Sequence, residues 1–128
     1  MYNPGAAMKL MIVDDSGIIR NRITRLAGTL SSLRIDVVGQ AKNGREAIDL
    51  FATSQPDIVT MDLTMPEMDG VECTRRLVDM CPDVRILVVS ALSDKPTALK
   101  ALKNGASDFL YKPFNDRQLI DAIEELVS

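Results

Sequence analysis

Apolar residues recur along this chain in two rhythms. Short, nearly unbroken apolar runs stand at 9–15 (KLMIVDD), 35–41 (IDVVGQA), 57–62 (DIVTMD), 84–91 (VRILVVSA) and 107–112 (SDFLYK). Between them the apolar positions keep helical spacing: Ile19, Ile23, Leu26 and Leu30, then Ala47, Ile48 and Phe51 within 44–54, then stretches at 70–80 and 95–105, and last Leu119, Ile120, Ile123 and Leu126. The first pattern fits strands buried on both faces, the second amphipathic helices. Ser16 is placed to cap the first helix, and Asn115 with Gln118 reads as a capping box for the last. Pro96 falls in a first helical turn and Gly105 just past that helix's end. Five strands alternating with five helices predict a doubly wound α/β domain, its parallel sheet covered on both sides. Residues 1–7 read as a flexible leader ahead of one domain over 8–128. In such sheets, sites form beyond the carboxyl ends of the strands.

Composition narrows the chemistry. The chain has 128 residues, 46% hydrophobic and 26% charged, which suits one ordinary globular domain with one core. Its net charge of −3 argues against nucleic acid or an anionic membrane as a direct partner. No apolar stretch approaches the ~18 residues of a membrane span. The start, MYNPGAAMKLMIVDD, lacks the basic leader of a signal peptide, so a cytoplasmic location is expected, with Cys73 and Cys81 reduced. The chain contains 0 histidines, so it has no histidine triad, histidine metal ligand or histidine acid–base group of its own.

The strand ends carry the chemistry. The first strand runs into Asp14-Asp15, the third ends on Asp62, the fourth on Ser90-Ala91 and the fifth on Lys112-Pro113. Parallel strands bring these ends to one rim. One aspartate at a strand end is commonly a turn former; four chemically matched sets at successive strand ends are not. Three carboxylates crowded together repel, which raises their pKa values. A hard dication bound through oxygen, such as Mg²⁺, relieves that conflict. Lys112 adds a second cation and Ser90 a hydroxyl donor. A central carboxylate so surrounded suits a phosphoryl group on Asp62.

These motifs ("VDD", "MDLTMPEMDG", "VVSA" and "YKPF") resemble the receiver domain of bacterial two-component response regulators, particularly the stand-alone CheY-like ones. The resemblance covers about residues 8–127. It implies a flavodoxin-like sheet of order 2-1-3-4-5 and makes 8–128 a receiver domain. It implies Asp62 as phospho-acceptor, Mg²⁺ bound by Asp15, Asp62 and the backbone carbonyl of Thr64, and Asp14 acting on the metal through water. Ser90, Lys112 and the backbone N–H of Ala91 would contact the phosphoryl oxygens, and Lys112-Pro113 would be cis. Ser90 and the strand-five aromatic Phe109 would form the switch. Thr64 and Leu92 would flank the path of the hydrolytic water. The readout surface would be helix four, strand five and helix five, where Lys95, Lys100 and Lys103 also read simply as a solvated face. Helix one, which carries Arg20, Arg22 and Arg25, would meet a histidine-containing donor; its arginines equally read as solvated.

The implied function is a switch that takes phosphate from a sensor histidine kinase or a histidine phosphotransfer protein. It would then act on a downstream protein, such as a flagellar motor switch protein in chemotaxis. It would catalyse only its own phosphorylation and dephosphorylation, and so would not be a turnover enzyme. A phosphorelay intermediate or phosphate sink remains open, as does a receiver from a longer regulator with a DNA-binding or enzymatic output. Two enzyme readings fail on specifics. A haloacid-dehalogenase-type phosphatase needs a second aspartate where Thr64 stands, and "DDSGIIRN" is too acidic to cradle a flavin phosphate.

Overall fold

The computed structural model describes residues 7–30, 33–65 and 68–128. Residues 1–6 of the expected leader, and Pro66 in the loop after Asp62, lie outside these. The elements are β1 (Met8–Val13), α1 (Gly17–Ala27), β2 (Ile35–Ala41), α2 (Gly44–Ser54), β3 (Ile58–Asp62), α3 (Gly70–Met80), β4 (Arg85–Ala91), α4 (Lys95–Lys103), β5 (Asp108–Lys112) and α5 (Asp116–Val127). All strand pairs are parallel and the order is β2-β1-β3-β4-β5, as expected. The chain reverses its direction of travel between β1 and β3, so the topological switch point lies where Asp14 and Asp62 emerge.

Both faces of the central strands β1, β3 and β4 are largely dry, which explains the nearly unbroken apolar runs. Met11, Val13, Val59, Met61, Ile86 and Val88 face a core closed by α2, α3 and α4. Leu10, Ile12, Ile58, Leu87 and Val89 point the other way, onto α1 and α5. Alternation along each strand sends neighbours to opposite cores. α5 is typical of how the helices attach. Its buried stripe is Leu119, Ile123, Leu126 and Val127, each contributing about 1.5–3 kcal/mol on full burial. Its capping box is formed in both directions by Asn115 and Gln118. Ser16 Oγ caps α1 by accepting from Ile19 N at 3.3 Å. Among the described residues no helix is long and apolar enough to cross a membrane. Cys73 and Cys81 are free thiols.

The differences from the expected boundaries are local. α1 ends at Ala27, so Leu30 packs from beyond the helix. β1 ends at Val13 because the Asp14 carboxylate turns back to accept from Ser16 N at 2.9 Å, which closes a turn. A 3-10 turn, Leu92–Asp94, precedes α4. α4 itself stops at Lys103 rather than 105, and Gly105 follows at φ +110, where a Cβ would also meet Val78 Cγ2 at 2.8 Å.

Candidate functional site

β3 delivers Asp62 to the rim from the middle of the sheet, flanked by β1 and β4. The residue is only 5% exposed. The start of α3 packs directly on the acceptor's backbone: Gly70 N donates to Leu63 O at 3.1 Å, and a Cβ on Gly70 would lie 2.2 Å from Asp62 O. Glycine is therefore required there for close approach, and the first residue of α3 is held tight against the strand tip. Asp69 caps α3 by accepting from Glu72 N at 2.9 Å.

Asp14, Asp15 and Asp62 converge, each offering a carboxylate oxygen within 4.8 Å of the others. Asp14 is buried and Asp15 exposed, so the cluster opens to solvent on the Asp15 side. Lys112 Nζ reaches across from β5 to Asp14 Oδ2 at 3.1 Å and Asp62 Oδ1 at 3.6 Å. One ammonium therefore pairs with two of the three acids. Burial, and then the Asp14 charge, push the Asp62 carboxyl up to about 6, against the opposing pull of Lys112 and the Thr64 N–H. That N–H donates to Asp62 Oδ1 at 3.3 Å. An all-oxygen acidic cluster, short of positive charge and open on one side, fits a hard dication that keeps some of its waters.

β4 ends beside β3. Ser90 is 3% exposed, yet its Oγ has no hydrogen-bond partner. A buried orphan hydroxyl costs about 1–3 kcal/mol, so it marks a place where a partner is missing. Ala91, next along, is exposed at the rim. The Lys112-Pro113 bond is cis, as the resemblance implied. Phe109, opposite Val88, packs on the core beneath α3 and α4. Leu92 is 65% exposed and does not bury itself against α4.

Three features were not anticipated. Tyr111 pairs with Ser90 in register and packs on Phe109 at a tilt of 52°, with ring centroids 5.0 Å apart. The period-2 rule applied to Phe109 would have placed it on the same face. Arg20 and Arg22 are not a solvated face: Arg20 donates to Asp14 O at 2.7 Å and Arg22 to Phe114 O at 2.8 Å. Only long-range pairing reveals this, and spacing along α1 cannot. Arg25 is exposed, as are Lys95, Lys100 and Lys103 of α4, which suits the solvated reading of those four.

A family model described as the response regulator receiver domain matches residues 10–124. A chemotaxis protein CheY of Thermotoga maritima is 36% identical over 118 residues, covering 92% of this chain and 96% of that protein. A protein-glutamate methylesterase/protein-glutamine glutaminase 2 of Pseudomonas fluorescens is 43% identical over 112 residues, 86% of this chain but only 29% of that longer protein. Among solved structures, a CheX-CheY-BeF3-Mg+2 complex from Borrelia burgdorferi contains a chain similar to this one, with a TM-score of 0.84 and 27% identity, covering 94% of this chain and 90% of that one.

Proposed function

The chain belongs to the response regulator receiver domain family of two-component signalling, and on that premise we propose that it is a phospho-switch whose acceptor is Asp62. The observation that carries this reading is the placement of Lys112 Nζ between the buried Asp62 and Asp14, within a three-acid cluster. The whole constellation sits at the sheet's switch point.

An Asp62 oxygen attacks the phosphorus of a phosphohistidine on a partner protein, in line with the bond to the imidazole nitrogen. As the new P–O bond forms, the P–N bond breaks and the imidazole leaves. With its carboxyl titrating near 6, Asp62 is mostly ionised at neutral pH and ready as the nucleophile. Lys112 supplies positive charge beside the phosphoryl oxygens. The orphan hydroxyl of Ser90 gains in the phosphoryl group the acceptor it lacks, and the Ala91 N–H donates alongside it. Asp15, Asp62 and the Thr64 carbonyl would hold Mg²⁺, with Asp14 reaching it through water. When bound, the ion neutralises phosphoryl charge. Water later cleaves the acyl phosphate, which resets the switch without turnover of any other substrate.

The phosphoryl group adds about −1.5 to −2 charge. Ser90 turning toward it leaves space on the sheet face that Phe109 and Tyr111 share, and that movement alters the surface of α4, β5 and α5. The relatives named for chemotaxis support a protein target of that pathway. The donor is a histidine kinase or a histidine phosphotransfer protein. This chain acts in the cytoplasm, with no catalytic product beyond its own phosphorylation state.

A small-molecule phosphodonor with Mg²⁺ is expected to add one acid-stable, base-labile phosphoryl group, and Asp62→Asn to abolish it, since an amide is a far poorer nucleophile. Intact-mass spectrometry reads the adduct, and undiminished labelling of Asp62→Asn would overturn the assignment.

A further inference from the structure

We propose that α1 is a bracket setting the separation of the two arms of the acid rim, with Arg20 positioning the acid arm and Arg22 the lysine arm. The inference rests on the phospho-acceptor reading of Asp62 and assigns roles to two residues that touch neither phosphate nor metal.

Residues two apart on a helix project about 200° from each other, so Arg20 and Arg22 leave α1 on opposite sides. Arg20 reaches toward β2. Its Nη1 donates at 2.7 Å to the carbonyl of Asp14, which belongs to the peptide joining Asp14 to Asp15. Its guanidinium is held in turn: Nε donates to Gln40 Oε1 at 3.2 Å, and Gln40 Nε2 donates to Thr24 Oγ1, back on α1, at 2.8 Å. That closed circuit fixes the Asp14–Asp15 peptide plane, and with it the direction in which the exposed Asp15 carboxylate points. The Asp15 side chain meets the Asp62 carboxyl, but among the described ion pairs it has no cation of its own.

Arg22 reaches the other way. Its Nη2 donates to Phe114 O at 2.8 Å and to Asp116 Oδ1 at 3.0 Å, and its guanidinium lies 4.6 Å over the Phe114 ring. Phe114 is buried and follows Lys112 by two residues, across Pro113. Only a planar fork of donors can serve the carbonyl and the carboxylate together while stacking on the ring. The segment that determines how far Lys112 extends is thereby tied to α1. The two arms meet at the contact of Lys112 Nζ with Asp14 Oδ2, 3.1 Å long, so one rigid helix governs both ends of that contact.

The two arms should separate in experiment. Arg20→Met and Arg22→Met keep the aliphatic stem and lose the donors. In the full chain, Mg²⁺ affinity is measured by calorimetric titration, and the phosphorylation rate is measured with acetyl phosphate at saturating Mg²⁺. Arg20→Met is expected to weaken Mg²⁺ binding about tenfold, the low end for lost outer-shell partners, with the saturated rate within about twofold of the parent. Arg22→Met is expected to leave Mg²⁺ affinity within about twofold and to slow the saturated rate about tenfold. On a Lys112→Gln background Arg22→Met should cost nothing further, whereas with Lys112 present Arg22→Lys should recover part of the rate lost in Arg22→Met, since it keeps the charge and one donor. The bracket is overturned if each variant moves both quantities alike, if neither moves either, or if the loss persists undiminished without Lys112. A parent that takes no label overturns the acceptor reading itself, whereas a labelled parent with unsplit variants overturns the bracket alone.

Discussion

Replacing Asp62 by Asn removes a charge that the fold resists. The Asp62 carboxyl stands at about 6 against an ordinary 3.8, first because it is buried and second because Asp14 is beside it. At 1.36 kcal/mol for each pKa unit, ionising it in the metal-free fold costs about 3 kcal/mol more than ionising it in the unfolded chain. Asn is close in shape and keeps an oxygen to accept from Thr64 N, and the attraction of Lys112 Nζ at 3.6 Å, which Asn forfeits, is already counted in that penalty. A net gain of about 2–3 kcal/mol is therefore expected at neutral pH.

The gain must depend on pH with a definite sign. Below about 3.8 the carboxyl is protonated in both states and the penalty vanishes. Between 3.8 and about 6 the unfolded chain ionises first, so the folded protein holds more protons, and stability falls as pH rises. Above about 6 the full penalty is present. Urea unfolding with EDTA, followed by far-UV circular dichroism from pH 4 to pH 7.5, should show parent and Asp62→Asn nearly equal at the acid end. They should separate by about 2–3 kcal/mol at the neutral end. Saturating Mg²⁺ should narrow the gap by stabilising the parent through mass action. A difference that stays constant across pH, or an Asn variant less stable than the parent at pH 7.5, would refute the reasoning.

Two further outcomes follow from other buried and exposed groups. Thr60 is 1% exposed on β3 and its Oγ1 has no partner, so Thr60→Val, which puts a methyl in place of the orphan hydroxyl, should raise stability by about 1 kcal/mol; a lower urea midpoint would show that the hydroxyl is satisfied after all. Leu92, 65% exposed at the rim, cannot orient a water, so Leu92→Gln should speed loss of the phosphoryl group about tenfold while Leu92→Ala changes it less, read by decay of labelled protein after the phosphodonor is removed; unchanged decay in folded Leu92→Gln would sink the water-access argument.

The strand–helix alternation was legible because both sheet faces are buried. That condition makes strands such as Ile58–Asp62 nearly unbroken apolar runs, with Thr60 the exception, and sends most polar residues to helix backs and strand tips. The rim was legible for the same reason. A carboxylate at the end of a fully buried strand has nowhere to go except the carboxyl edge, so Asp14, Asp62, Ser90 and Lys112 had to meet there. Helix ends were less legible. The chain could not say that Leu92–Asp94 forms a tight turn before α4, because that depends on how Asp94 and Thr97 bond to each other, with Oδ1 accepting from Oγ1 at 2.6 Å.

What spacing could not reveal is the difference between a charge on a surface and a charge used as a brace. Arg20, Arg22 and Arg25 look alike on α1, yet their surroundings divide them. Arg25 projects into water, where an isolated cation contributes little. Arg22 keeps 29% of its side chain exposed and still spans 92 residues of sequence to hold the Phe114 carbonyl. A long side chain loses rotamer freedom when it is fixed in this way. That loss is offset only where several acceptors converge, and around Arg22 a carbonyl, a carboxylate and an aromatic ring do. The same convergence surrounds Lys112, whose ammonium is fixed by Asp14 and Asp62. The cations that matter to this rim are therefore those with more than one partner, a property of the folded contacts that no one-dimensional pattern of charges contains.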